Sequence, residues 1–470
     1  MRRWRTWAIV VGVAVALVLG VAGGAYAALF AYFYPAPPKP AAARPGADTL
    51  GRQRDDVAQF VKLVALDRSY SPAARRQADA EITALASRPD ALPAPKFRLA
   101  LMRIAAIADN GHTGVFSGDN GEPNEAPIRV YAFADGVRVV RATAPNADLL
   151  GAELIGVAGR PAEAALASLG AYRGGTAAHR RLWSVIGVTS PEILYGAGLT
   201  ADPNQAAYAF RLADGRTIER TLAGEPQNDK SPDLSPPRVI SPQPIDGEDA
   251  SWRTLLPAKA ALPLSLADPD RPFRLAWPSG GCVAYVQLRA NNDTNGQSLP
   301  AFLQATRREL ERRRPCGLVF DLRYDGGGDY TKTAAFAHAL AKLVPPPGRI
   351  AMITGPNEFS AGITTAGFTK DAGNDRVTIV GEPVGDRLDF YAEGGEGCLP
   401  HANVCFHYAT GRHHYDGPCG DWRTCFWLNW LFPVRVKSLD PDVPAVTTFA
   451  DYLAGRDPAF DRALTIAQGH

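Results

Sequence analysis

Apolar positions along the chain fall into three regimes. From Trp7 to Tyr34 they are almost continuous, with no charged residue between Arg5 and Lys39. From about Thr49 to Ile107 they recur at helical spacing, as with Phe97, Leu101, Ile104 and Ala108, until Asp109-Asn110-Gly111 ends the run. Beyond that point they alternate or form short blocks. Ile128, Val130 and Ala132, followed by Val137 and Val139, predict a hairpin that turns at Ala134-Asp135-Gly136, and Tyr208 to Gly215 predicts another.

After Cys282 the pattern becomes regular. It predicts strands over Val283–Leu288, Leu318–Leu322, Ile350–Ile353 and Val377–Val380. Between them it predicts helices over Leu299–Arg313, Thr331–Leu343 and Ala361–Thr369. This alternation suits βαβ crossovers and hence an α/β core. In such sheets ligands meet the loops at the C-terminal strand ends, which directs attention to the segments after Leu322 and Ile353.

The N-terminal run of 28 apolar residues follows Arg2, Arg3 and Arg5. It exceeds both the roughly 20 residues of a spanning helix and the core of about 7 to 15 in a signal peptide. It reads as a signal-anchor, with Ala25-Tyr26-Ala27 as the alternative, cleaved reading. The arginines stay on the cytoplasmic side, so the bulk of the chain is expected across an inner membrane, in the periplasm. Pro35 to Asp48 then reads as a semi-rigid Pro/Ala tether.

Composition removes other classes. With 46% apolar and 21% charged residues, the chain has material for a sizeable core. Its 50 basic and 48 acidic side chains leave a net charge of +2, so nothing supports a nucleic-acid partner. Only nine of the basic residues are lysine.

Three segments can carry chemistry. Asp321-Leu322-Arg323-Tyr324-Asp325-Gly326-Gly327-Gly328-Asp329 joins a strand to a helix, where glycines expose backbone N–H groups to an anion or developing oxyanion; the bland reading is a tight turn. Glu358-Phe359-Ser360-Ala361-Gly362 puts a serine at a helix N-terminus, as a nucleophile or as an ordinary N-cap. Asp109-Asn110-Gly111-His112-Thr113-Gly114 puts a histidine on a turn, as a base or merely solvated.

In this order, with Val380-Gly381-Glu382-Pro383, Leu439-Asp440-Pro441-Asp442-Val443-Pro444 and Gly455-Arg456-Asp457, these segments resemble the S41 serine peptidases, the tail-specific or C-terminal-processing proteases. The resemblance spans about residues 95 to 465. It implies a ClpP/crotonase-like α/β core with N-terminal helical and small β (PDZ-like) parts; no cofactor or metal is expected. It also implies a peptide or protein substrate cleaved by acyl transfer. Ser360 matches the nucleophile, and the N–H groups of Gly327 and Ala361 match the oxyanion hole.

The tail-specific branch uses a lysine about 25 residues after the serine, but position 385 is Gly385 and residues 371 to 436 contain no lysine. Lys370 is expected to point to solvent. The tricorn-like and retinoid-binding-protein-like branch takes a histidine from the N-terminal part, where His112 stands, so a Ser-His pair within hydrogen-bond reach is expected. The glutamate of that branch is replaced around Arg435-Val436-Lys437-Ser438, which leaves Glu382 as the candidate third member. A non-catalytic binding protein on the same fold, and a hydrolase of a non-peptide ester or amide, are the competing readings.

The parts implied are a signal-anchor (1–34), a tether (35–48), a helical part (49–115), a PDZ-like part (116–224), a linker (225–250) and the core (251–470) with a Cys-rich insertion (396–430). Four of six cysteines fall in that insertion. An exported location favours disulfides over zinc. Cys398 with Cys405 and Cys419 with Cys425 is the simplest of three possible pairings, and Cys282 and Cys316 begin neighbouring strands. The sequence leaves the oligomeric state open.

Overall fold

The computed structural model describes residues 2–40, 46–118, 121–227, 234, 236–245 and 247–469. Residues 41–45 of the expected tether, and 228–233, 235 and 246 of the expected linker, lie outside the described residues.

A six-stranded sheet forms the heart of the molecule, in the order Val443–Pro444, Val377–Gly381, Ile350–Thr354, Gly317–Asp321, Val283–Leu288 and Phe273–Ala276. The first five strands are parallel, and the last pairs antiparallel with its neighbour. The central strands are buried on both faces, as expected for a parallel sheet covered by crossover helices. Leu299–Arg313, Thr331–Leu343 and Ala361–Gly373 cover one face, while Pro458–Ala467 packs against the other through Ala459, Ala463 and Ala467. Arg323, just past the strand Gly317–Asp321, is paired with both Asp321 and Asp457 and is itself buried. Leaving one of these charges unpaired costs about 3–5 kcal/mol, so the network holds the strand end that leads into the glycine loop.

The predicted core strands and helices form within a few residues of the expected bounds. The helical stretch divides into Thr49–Val64, Pro72–Ala86 and Ala94–Ala106. The two hairpins belong to one antiparallel sheet, in the order Ile128–Phe133, Gly136–Thr143, Glu153–Val157, Gln205–Arg211 and Thr217–Ala223. Ala162–Leu169 and Ala177–Gly187 pack with it over a separate apolar core.

The strand Gly114–Ser117, just after His112, pairs with Val404–Tyr408 of the Cys-rich insertion. Asp389–Ala392 pairs with Gly411–His414. These two pairings carry the His112 turn from the N-terminal part to the C-terminal strand ends of the main sheet.

All six cysteines pair as Cys282–Cys316, Cys398–Cys405 and Cys419–Cys425. Glu396, Cys398 and Cys405 cluster as potential metal donors, but both sulfurs are already bonded to each other.

The N-terminal helix runs Arg2–Phe33, and its stretch Val15–Phe33 is apolar enough to cross a membrane or to act as a signal sequence. Its end does not stop at the body's surface: Phe33 is fully buried, and Tyr34 donates to Glu393. The first tether residues follow the body as well, with Tyr408 donating to the Pro35 carbonyl and Gln59 to that of Pro38.

Candidate active site

Beyond the strand Gly317–Asp321 the chain enters the glycine loop, with Gly327 at φ +107° and Gly328 at φ +132°. A Cβ on Gly327 would lie 2.7 Å from Cβ of Ser360, 3.0 Å from the Phe359 carbonyl and 3.1 Å from the Ala361 nitrogen. A Cβ on Gly362 would lie 2.5 Å from the Asp325 carbonyl. The two segments therefore lie backbone against backbone, and only glycine permits the approach. Phe359 N–H donates to the Asp325 carbonyl at 2.9 Å and ties them together.

Ser360 has φ +53° and ψ −122°, a left-handed conformation that costs a side-chain-bearing residue about 1–3 kcal/mol. It immediately precedes the helix Ala361–Gly373, yet its hydroxyl makes no capping bond. The N-cap reading of this serine is thereby set aside: the strained backbone presents a half-buried hydroxyl that is not spent on the helix.

His112 lies flat between Phe359, with centroids 4.3 Å apart, and Phe390, at 5.4 Å. The ladder continues with His179 on Phe359 at 4.7 Å and His413 on Phe390 at 4.9 Å. His112 Nδ1 approaches Asp386 Oδ2 at 3.4 Å, and neither ring nitrogen forms a hydrogen bond among the described residues. Burial pushes the imidazole below the usual histidine range, with Asp386 opposing the shift. At neutral pH the ring is therefore uncharged and able to accept a proton. The His407 Nδ1–H bond to the His112 carbonyl, at 2.7 Å, fixes the turn from behind.

Four expectations need correction. The carboxylate at the imidazole is Asp386, whereas Glu382 sits beyond the end of Val377–Gly381, held by its backbone to Thr354 and pushed up by burial against the pull of Arg323. Glu382 faces a cavity of about 310 Å³ that Tyr131, Arg323, Tyr324, Asn357 and Thr447 also line. Second, no hydrogen bond joins His112 to Ser360, because Phe359 turns its ring, and not the serine hydroxyl, onto the imidazole. Third, the Gly327 N–H is occupied, donating to Asp325 Oδ1 at 3.0 Å. The Ala361 N–H has no acceptor among the described residues, as expected for the first residue of a helix. Lys370 is not free in solvent either: its Nζ donates to the Val377 carbonyl at 2.7 Å and lies 3.7 Å from Asp442.

Two buried carboxyls behind the serine carry no sequence signal of their own. Asp325 is pushed up to about 7 by burial, against the pull of the Gly327 N–H. Glu358 is fully buried with neither oxygen bonded among the described residues, and burial with Asp325 and Asp321 nearby drives it far above the carboxylate range. Asp386 stands one position beyond Gly385, where a lysine-based pattern directs the eye to the wrong residue type; an acid in the loop after Pro383 was the available clue.

No protein-family model matches the chain, and no curated protein does. Solved structures do share its fold. Mature CPAF complexed with lactacystin is 13% identical and superposes at a TM-score of 0.55, covering 89% of this chain and 98% of its own. Mature CPAF alone gives 14% identity, a TM-score of 0.53 and coverages of 89% and 97%. The photosystem II D1 C-terminal processing protease matches at 14% identity and a TM-score of 0.37, covering 87% and 98%. CPAF and the D1 processing protease are S41-family peptidases, the family the motifs resemble.

Proposed function

We propose that this chain, with its CPAF-like fold, is a membrane-anchored, periplasm-facing serine peptidase that cleaves peptides or proteins by acyl transfer. The observation that carries the reading is the uncapped hydroxyl of Ser360, held at positive φ against Gly327 at a helix N-terminus. In the mechanism, Ser360 attacks the substrate carbonyl and His112 takes its proton. Asp386 holds the Nδ1 side and stabilises the imidazolium that forms. The Ala361 N–H donates to the oxyanion, and the Gly327 N–H joins it when Asp325 releases it. His112 then protonates the leaving amine, and water hydrolyses the acyl-enzyme.

Two features describe a resting site that substrate completes: the unmade His112–Ser360 bond and the occupied Gly327 N–H. Catalytic hydrogen bonds commonly tighten only in the substrate complex. The same two features favour the second reading, a non-catalytic peptide-binding protein. Labelling with a serine-reactive fluorophosphonate separates the two. A peptidase labels in the wild type and loses labelling in Ser360→Ala, whereas no labelling of either protein supports the binding reading. Lactacystin, bound in a CPAF structure, is a second probe that should compete with the fluorophosphonate.

A further inference from the structure

Outside the N-terminal helix, three of the exposed large apolar side chains among the described residues lie close together. Trp422, Trp430 and Leu431 are 61, 50 and 64% exposed and fall within ten residues of sequence, next to the Cys419–Cys425 disulfide. This segment is also what the N-terminal helix packs against. Tyr26 meets Trp427 edge-on at 5.6 Å, Phe33 meets Phe426 at 5.4 Å, and the Tyr32 hydroxyl donates to the Arg423 carbonyl at 2.9 Å.

We infer that the segment 419–431 is a second membrane contact, with Trp422, Trp430 and Leu431 entering the headgroup region of the bilayer that the helix crosses. The inference rests on the anchor reading of the helix. Depth along the helix is what selects lipid as the partner. Nineteen residue steps separate Trp7 from Tyr26, roughly 28 Å of helix against a hydrocarbon core of about 30 Å. With Trp7 at the inner face beside the arginines, Tyr26 falls at the outer face, the level where Trp and Tyr side chains accumulate. Trp427 touches Tyr26, so the segment reaches down to that level. The seven residues that follow Tyr26, up to Phe33, then lead out of the lipid into the protein core, where Phe33 is fully buried.

The chemistry of the patch fits an interface. The Arg423 guanidinium lies 5.7 Å over the Trp422 ring, and the Trp430 indole N–H reaches the Cys419 carbonyl at 3.4 Å. Apolar rings with a polar edge and a neighbouring arginine suit the boundary between acyl chains and phosphates. With the helix, the patch makes two contacts on one rigid body. The disulfide keeps the loop from folding away from the bilayer, and Ser360 is thereby set at a fixed height above the membrane.

The full-length protein is placed in nanodiscs of lipids brominated along the acyl chain, and tryptophan quenching is compared between wild type and a Trp422→Ser/Trp430→Ser double variant. Intact disulfides by mass spectrometry and unchanged fluorophosphonate labelling establish that the variant is folded. The expected result is a quenchable emission lower by about a third or more in the variant, since interfacial indoles lie within reach of the quencher. It is accompanied by a loss of acrylamide-accessible emission no larger than that of an exposed pair in solvent. Equal, non-zero lipid quenching in both proteins overturns the second contact and leaves the anchor standing. That outcome would also point to a protein partner over the patch. Absence of any lipid quenching in either protein removes the anchor itself, and the inference with it.

Discussion

Replacing Gly327 by alanine tests the contact on which the site is built. The added Cβ would stand 2.7 Å from Cβ of Ser360, where non-bonded carbons sit at about 3.5–4.0 Å. The serine or the loop must move by roughly 1 Å, and a displacement of that size costs on the order of 10²-fold in rate. Gly327 also has φ +107°, so alanine adds about 1–3 kcal/mol of backbone strain. Gly326 is the built-in control, because a Cβ there meets nothing within 4 Å and its φ is ordinary. Initial rates on a fluorogenic peptide, the fluorophosphonate labelling rate and the thermal midpoint are measured for wild type, Gly326→Ala and Gly327→Ala. The expected pattern is near-wild-type behaviour for Gly326→Ala and about a 10²-fold slower reaction with a lowered midpoint for Gly327→Ala. Wild-type labelling in Gly327→Ala would show that Ser360 does not depend on this contact, and the reasoning would fail.

His112→Ala should slow turnover by about 10²- to 10⁴-fold with the fold intact; an unchanged rate removes the histidine from the chemistry. The acid limb of kcat/KM should lie below the ordinary histidine value of about 6.5, because burial lowers His112. Asp386→Asn should slow the reaction and move that limb lower still, since Asp386 is what opposes the shift; a limb unmoved by the substitution excludes it as the positioning carboxylate. Asp325 is raised in the folded state, so its contribution to stability is fully present below its unfolded value near 4 and is lost as pH rises through about 7. Chemical denaturation should therefore show Asp325→Asn gaining stability over wild type at pH 8 but not at pH 3.5, and an equal difference at both values contradicts the assignment.

Much of the core was legible because its signals are local. Val283–Val286 and Ile350–Ile353 are continuous apolar blocks near turn residues, and the helices between them carry their own periodicity. The cysteine pairs were legible for a related reason: Cys398 and Cys405 are register partners in one short hairpin. The site was legible only in part. Ser360 and His112 sit in recognisable turns, but what touches them is decided by pairings far apart in sequence. Gly114–Ser117 pairing with Val404–Tyr408, for example, brings the His112 turn to Phe390 and Asp386. No spacing rule selects Asp386 over Glu382, since both follow the same strand and only the path of the loop after Pro383 tells them apart. Likewise the Asp325 side chain that claims the Gly327 N–H is invisible in a glycine-rich motif read for its backbone alone.

The claim that Ser360 is an acylated nucleophile is tested most directly by trapping the intermediate. The full-length protein is mixed with a slowly deacylating nitrophenyl ester, quenched with acid within the first turnover, and digested for peptide mass spectrometry. One acyl group per chain is expected, located on Ser360, formed in a burst of nitrophenolate and lost when Ser360 is alanine. Nitrophenolate release with no adduct on Ser360, or an adduct on another residue that persists in Ser360→Ala, would contradict it.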